Sequence, residues 1–379
     1  MAMMPPFLRL RIYYYLCEKF YQHNLQMTAS TYRLNVKNNQ RLSWVDNAKG
    51  FAIILVVLGH ICLTETVYYF NAWIYSFHMP LFFALSGLFT VKHINEETWF
   101  LHFKKRFKRI MIPYLVYGIF IQLFFWIYYK YKFPEFDRLF LQAIISQLLN
   151  YQISDMGQAW SAQLWFLPCL FLADLMVWTT WKFIRNQVGR CSVMILLLSV
   201  GIIYYLFINR SLPLRLQTAL IAIVFIIAGL LINNNRRMKW IWVVCLLSIY
   251  VIFWGLNGFS TMIMSISEYD NVFYFIISAF CGIIAIIEIM KRVTSVSILS
   301  KIGKQSLAIY IFQSIFTPFL FAICKKAPYF DNIIIQIPLL CVAAFGCCVC
   351  CMYIGQFLEH YFPWSFGMSR KHATFEKNK

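Results

Sequence analysis

The chain has 379 residues, 61% of them hydrophobic and only 13% charged, where a soluble domain averages roughly 45–50% apolar and about 25% charged. No water-soluble surface can be built from that composition. The net charge of +19 invites a nucleic-acid partner, but the basic residues stand between apolar runs, which is how a membrane protein records its topology, so none is expected.

In chain order, the first forty residues carry Arg9, Arg11, Lys19, Arg33 and Lys37 among Tyr13, Tyr14, Tyr15, Phe20 and Tyr21. No cleavable signal peptide is evident. Residues 1–40 read as a basic, aromatic cytoplasmic extension. It is either an interfacial helix or an over-extended start ahead of Met27.

Apolar runs then recur at 45–64, 72–91, 110–129, 164–183, 192–208, 216–232, 240–256, 271–290, 305–324 and 333–355. Each approaches the roughly 20 residues that cross a bilayer. They lack the period-two alternation of barrel strands, and a helix satisfies every backbone group within one span. The expected fold is therefore an all-α integral membrane bundle of about ten helices spanning 41–357, with a basic cytoplasmic tail over 358–379. With both termini inside, 27 of the 34 Lys and Arg residues face the cytoplasm and 7 face outward, the bias that sets orientation. A multi-pass protein of the inner (cytoplasmic) membrane is expected, with the lipid bilayer as its first partner.

The first span reads Asp46-Asn-Ala-Lys49-Gly-Phe-Ala-Ile-Ile-Leu-Val-Val-Leu-Gly-His60. Eleven residues are about three helical turns, so Lys49 and His60 share a face about 16 Å apart along the axis, with Asp46 near the same stripe. An ionisable group inside a span is costly and points to function. The second span reads Phe77-His78-Met-Pro80-Leu-Phe82-Phe83-Ala-Leu-Ser86-Gly87. Running antiparallel, it puts His78 at a depth similar to His60. Pro80 can kink the helix, and Ser86 and Gly87 allow close helix packing.

Six basic residues follow between 92 and 109. They are either a topogenic run on anionic headgroups or a phosphate site, since Arg106 and Arg109 lie one turn apart and can clamp phosphate together. A nucleotide-headed donor fits the whole: its head on Arg106, Arg109 and Lys49, its arm along the first two spans, its reactive end at His60. Acyl-coenzyme A has that shape.

The outer stretch 130–163 reads as the longest non-helical segment, carrying Asp155, Gln158, Trp160 and Gln163; it is either a functional loop or a plain connector. Asp174 lies mid-span and is a candidate polar partner in the cavity, since buried carboxylates in membranes usually pair. Glu288, near a cytoplasmic end, is expected to reach for the interface. The cysteines at 341, 347, 348, 350 and 351 point in different directions on one helix. They read as small packing residues, and no metal site or disulfide framework is expected.

These residues resemble the acyltransferase 3 superfamily of membrane-bound glycan O-acyltransferases. Lys49-x10-His60 resembles the family's Arg/Lys-x10-His motif, Arg106-Phe-Lys-Arg109 its Arg-x-x-Arg donor motif, and Phe82-Phe83-Ala-Leu-Ser86-Gly87 its Phe-Phe-x-x-Ser-Gly motif. Phe77-His78-Met79-Pro80 resembles the fucose 4-O-acetylase-like branch. Trp165-Phe166-Leu167-Pro168 and Ile302-Gly303-Lys304-Gln305-Ser306-Leu307 through Tyr310 are similar to later family segments. Many relatives place a histidine shortly after that tyrosine, where Gln313 stands here. Glutamine hydrogen-bonds but does not exchange protons near neutral pH.

The resemblance implies an O-acyltransferase, an acyltransferase of groups other than aminoacyl. It would carry acetyl from acetyl-coenzyme A, a co-substrate rather than a permanently bound cofactor, to a hydroxyl of a cell-surface carbohydrate or its lipid-linked precursor. His60 would be catalytic, with Lys49 and Asp46 beside it. Arg106, Arg109, Phe82, Phe83, Ser86 and Gly87 would bind the donor, while His78, Asp174, Trp165 and Gln313 would hold the acceptor or support the site. The rival class is a transporter or flippase of a glycan intermediate, but residues 41–190 and 191–355 lack the internal similarity typical of transporters.

Overall fold

A computed structural model describes residues 42–130, 136–151, 162–208, 210–232, 236–293 and 296–368. The expected extension over 1–40, most of the basic tail, and Asp155, Gln158 and Trp160 lie outside the described residues. Among those described, regular structure is helical apart from one antiparallel bridge between Ile263 and Glu268.

The helices are α1 (Ser43–Gly59), α2 (Tyr68–Tyr75), α3 (His78–Thr90), α4 (Trp99–Arg106), α5 (Ile112–Tyr129), α6 (Phe136–Leu149) and α7 (Phe166–Phe183). The second half adds α8 (Gln187–Phe207), α9 (Leu216–Leu231), α10 (Trp240–Leu256), α11 (Val272–Met290), α12 (Ser297–Lys304), α13 (Ser306–Cys324) and α14 (Ile333–Tyr361). Eight helical segments are long and apolar enough to cross a membrane: Glu65–Thr90, Trp99–Tyr129, Ala162–Phe183, Gln187–Phe207, Pro213–Leu231, Val272–Met290, Ser306–Cys324 and Ile333–Tyr361. The other two expected spans fall on α1 and α10, at 17 residues each. The chain is thus an all-α, multi-pass membrane protein. Large apolar side chains stand on its outside, Phe207 and Trp242 among them, a surface that suits lipid and not water.

Helices cross at glycine where backbones must touch. A Cβ on Gly87 of α3 would sit 2.1 Å from the Ile226 carbonyl oxygen of α9, and one on Gly229 of α9 would sit 1.9 Å from that of Ala84. Likewise a Cβ on Gly303 of α12 would sit 1.8 Å from the Asp46 carbonyl oxygen, and one on Gly50 of α1 2.1 Å from that of Leu299. No other side chain fits such approaches. The late Ile302-Gly303-Lys304 segment therefore packs directly on the turn of α1 that carries Asp46 and Lys49.

Four expectations change. The second span is broken at Ser76 and Phe77 into α2 and α3. Pro80 has no N–H for the Ser76 carbonyl, so the helix restarts with Pro80 in its first turn, where that N–H is not missed. The stretch 130–163 is not a continuous non-helical segment, because α6 occupies Phe136–Leu149 within it. Asp137, Arg138 and Gln142 hide that helix from a search for apolar runs. Glu288 does not extend outward: it is buried within the protein, accepting from Lys291 Nζ at 2.5 Å, Arg292 Nη1 at 3.2 Å and the Met238 N–H at 2.9 Å. Finally, the expected boundary at 357 falls inside α14, and the turn Pro363–Phe366 folds back onto α5, where Ser365 Oγ meets Tyr117 OH at 2.6 Å.

Candidate active site

One cavity of about 180 Å³ opens at the His60 end of α1. His60, Tyr75, His78 and Met79 line it from the first helices, Ser146, Gln147 and Asn150 from α6, Gln163 and Trp165 from the turn before α7. Arg215, Tyr310 and the segment Met262–Ile266 complete the wall.

Each polar group arrives for a local reason. His60 follows directly on the C-terminal end of α1. The break at Ser76 turns His78 inward: its Nδ1 lies 2.7 Å from the Ile74 carbonyl oxygen. A carbonyl accepts only, so Nδ1 carries the proton and Nε2 keeps its lone pair. Helix α6 is amphipathic. Leu141, Ile145 and Leu148 are exposed, while Ser146 and Gln147 are buried and line the cavity. Tyr114 OH donates to the Gln147 carbonyl. A Cβ on Gly118 would meet Gln147 Nε2 at 2.0 Å, so α6 lies hard against α5.

Behind the wall, Gln313 Nε2 donates to Gln163 Oε1 at 3.0 Å, and Tyr310 OH donates to the Gln163 carbonyl. Gln313 is thus one residue removed from the cavity, steering Gln163. Trp165 lines the cavity, and its carbonyl accepts from Asn150 Nδ2 at 3.2 Å.

A second polar cluster forms at the opposite end of α1. Lys49 Nζ lies over the Phe89 ring at 5.9 Å. Next to Phe89, Thr90 Oγ1 donates to Asp174 Oδ1 at 2.7 Å. Arg106 Nη2 reaches the same oxygen at 2.7 Å, and His102 Nε2 lies 3.0 Å from Oδ2. His102 stacks on Trp178, ring centres 4.4 Å apart, and its Nδ1 lies 3.2 Å from Glu97 Oε2. Asp174 is therefore a polar partner of Arg106 and does not line the cavity.

The expected phosphate clamp changes with it. Phe107–Met111 form a π-helical turn between α4 and α5, which is wider than an α turn and shifts Arg109 off the stripe of Arg106. Arg106 turns inward to Asp174, while Arg109 stays exposed.

Of the residues singled out from sequence, the cavity gathers His60, His78, Gln163 and Trp165. Lys49, Arg106 and Arg109 sit at the other end. Phe83 is buried against Phe166, ring centres 4.8 Å apart, with Phe82 at 5.9 Å. Gly87 is at the α3–α9 crossing, and the carbonyl of the half-buried Ser86 lies 3.4 Å from Thr90 Oγ1. Asp46 is buried on α1 beside α12. Among the described residues no three His, Cys, Asp or Glu side chains gather for a metal ion. Sequence reasoning missed Arg215, Ser146, Gln147, Asn150 and His102. Arg215 was countable only as an outer charge, although its place just after Pro213 at the mouth of an apolar run is a signal.

A family described as an acyltransferase domain, Acyl_transf_3, matches residues 42–353. The chain belongs to the acyltransferase 3 family. Its match takes in both polar clusters and every helix from α1 into α14. A stretch of 88 residues is 36% identical to the nodulation protein NolL of Mesorhizobium japonicum, covering 21% of this chain and 23% of that protein. The similarity thus spans under a quarter of that relative's length. No solved structure matches the chain.

Proposed function

We propose that this member of the acyltransferase 3 family is an O-acetyltransferase of the inner membrane. It moves acetyl from acetyl-coenzyme A to a hydroxyl of a cell-surface carbohydrate or its lipid-linked precursor, in the manner of the fucose 4-O-acetylase-like branch. The observation that carries this reading is that His60 and His78 line one cavity, with the Nδ1 contact of His78 leaving its Nε2 as the ring's acceptor. Imidazole is the side chain suited to accept a hydroxyl proton near neutral pH.

The acceptor hydroxyl gives its proton to His60 as its oxygen attacks the thioester carbonyl. The carbon–sulfur bond then breaks, and the coenzyme A thiolate takes the proton back from the imidazolium. His78 orients the acceptor or His60. A relay also balances: His60 first displaces the thiolate as a nucleophile, and the hydroxyl later attacks the acyl-imidazole. The relay suits a donor headed at Arg109 and Lys49, a helix length of about 16 Å from His60.

Membrane vesicles given radiolabelled acetyl-coenzyme A test this. Transfer to endogenous glycan is expected with wild type and is expected to fall by at least about 100-fold in His60→Ala at equal protein level. Label that persists in His60→Ala removes that residue from the chemistry. Label absent from wild type, with acceptor present, counts against acetyl-coenzyme A as donor.

A further inference from the structure

Arg215 is only 6% exposed and lines the cavity. Its Nη1 donates to Ser211 Oγ at 2.9 Å, while Nε has no hydrogen-bond partner among the described residues. Among the described residues, no carboxylate is found in the side chains lining the cavity. Ser146 Oγ, on a residue 4% exposed, also lines the cavity and has no partner among the described residues. A guanidinium taken out of water needs an anion to offset its desolvation, and neither His60 nor His78 supplies one.

The backbone serves the same placement. Leu214 and Arg215 both adopt left-handed φ of 56°, which non-glycine residues rarely hold and which persists only where the surroundings enforce it. That conformation starts α9, with Arg215 at the N-cap, so the positive end of a 16-residue helix adds to the guanidinium's field. A fixed fork of N–H donors beside a hydroxyl matches the oxygens of a carboxylate or a phosphate.

We infer that the cavity selects acceptors bearing an anionic group, a carboxylate or a phosphate, held by Arg215 and Ser146 while a hydroxyl of the same molecule meets the histidines. This rests on the reading that the cavity takes the acyl acceptor. A sugar acid and a phosphate-bearing, lipid-linked sugar both present that chemistry. Neutral sugars lack it and would leave Arg215 uncompensated.

The test is a thermal shift on the purified full-length protein in lipid nanodiscs, titrated with glucuronate, inorganic diphosphate or glucose. Glucuronate or diphosphate is expected to raise the melting temperature, and glucose is not. Arg215→Gln should raise the half-maximal anion concentration by at least about tenfold, the factor set by 1.4 kcal/mol. Ser146→Ala should raise it less, and it carries the test should Arg215→Gln fail to fold. Glucuronate alone acting would name the sugar-acid source, and diphosphate alone the phosphate source. The inference is overturned by no anion shift in wild type, by an equal shift from glucose, or by an anion shift lost in Arg109→Gln and kept in both cavity variants. No turnover is needed, so an intact anion shift without acetyl transfer would count only against the acyltransferase reading, and transfer without the shift only against this one.

Discussion

Arg106 reaches Asp174 across the helices, Nη2 to Oδ1 at 2.7 Å, and the carboxylate it meets is wholly buried. Two further donors, Thr90 and His102, complete the carboxylate's surroundings. Among the described residues the second basic residue of the Arg-x-x-Arg pair, the exposed Arg109, has no such anchor, and the two arginines therefore do different work.

Removing the anchor should be severe. Asp174→Ala leaves Arg106 and His102 facing each other without their anion, and breaking a buried pair costs about 3–5 kcal/mol. A sharp drop in the melting temperature of the detergent-solubilised protein is expected, with loss of folded material on size-exclusion chromatography. Asp174→Asn should fall between, keeping an acceptor for Thr90. A wild-type melting curve in Asp174→Ala would show the cluster to be energetically idle.

Arg109 should behave in the opposite way. It is exposed, so Arg109→Gln is expected to leave the melting temperature within about 1 °C, since surface changes stay within roughly 0.5 kcal/mol. If it holds donor phosphate, KM for acetyl-coenzyme A should rise about tenfold or more, as for a lost charge-assisted contact, with KM for the acceptor unchanged. Arg106→Gln should chiefly lower stability. Kinetics on both variants, each beside its melting curve, separate the roles. Equal effects would restore the shared clamp.

The difference between these arginines also marks how far the order of residues could be read. His60 and His78 stand out because a polar residue inside an apolar run is costly and visible. Nine of the ten apolar runs each land on one helix for the same reason, and the second is divided between α2 and α3. The π turn at Phe107–Met111 leaves no trace, because a run of basic residues carries no apolar phase from which a changed pitch could be read. Helix α6 was hidden because its polar face serves the cavity, which lowers the hydropathy that marks a span. Arg215 was hidden by its own charge, which the topology count absorbed. Gly303 was readable as a family residue. Its reason, contact with the Asp46 carbonyl, depends on two helices distant in sequence.

That contact yields a prediction with an internal control. Gly303→Ala would put a Cβ 1.8 Å from the Asp46 carbonyl oxygen, so α12 must move off α1. Forced overpacking costs about 1–3 kcal/mol, and here the displaced turn carries Asp46 and Lys49. Gly346→Ala meets nothing within 4 Å in α14 and should be tolerated or stabilising. Transfer activity per folded molecule should drop in the first variant and hold in the second. Full activity in Gly303→Ala would mean that the Lys49 turn need not be held in place.

Glu97 ties the α3–α4 connection to this cluster and gives it a pH dependence. Burial raises its carboxyl pKa, but hydrogen bonds from Lys105 and His102, and their charges, outweigh that and hold it below the ordinary glutamate value. Lys105 Nζ lies 2.6 Å away yet is more than half exposed, so its share is weakened by solvent and salt. With the folded value below the unfolded one, the folded state binds fewer protons. The stabilisation is therefore complete above the unfolded glutamate pKa and lost as pH falls through the folded value. The melting temperature of wild type should exceed that of Glu97→Gln by a constant margin near neutrality, and the margin should close in acid. Raised salt should shrink the margin modestly through the Lys105 contact. A margin that widens as the pH falls would mean that burial dominates Glu97 and that its two partners do not hold it ionised.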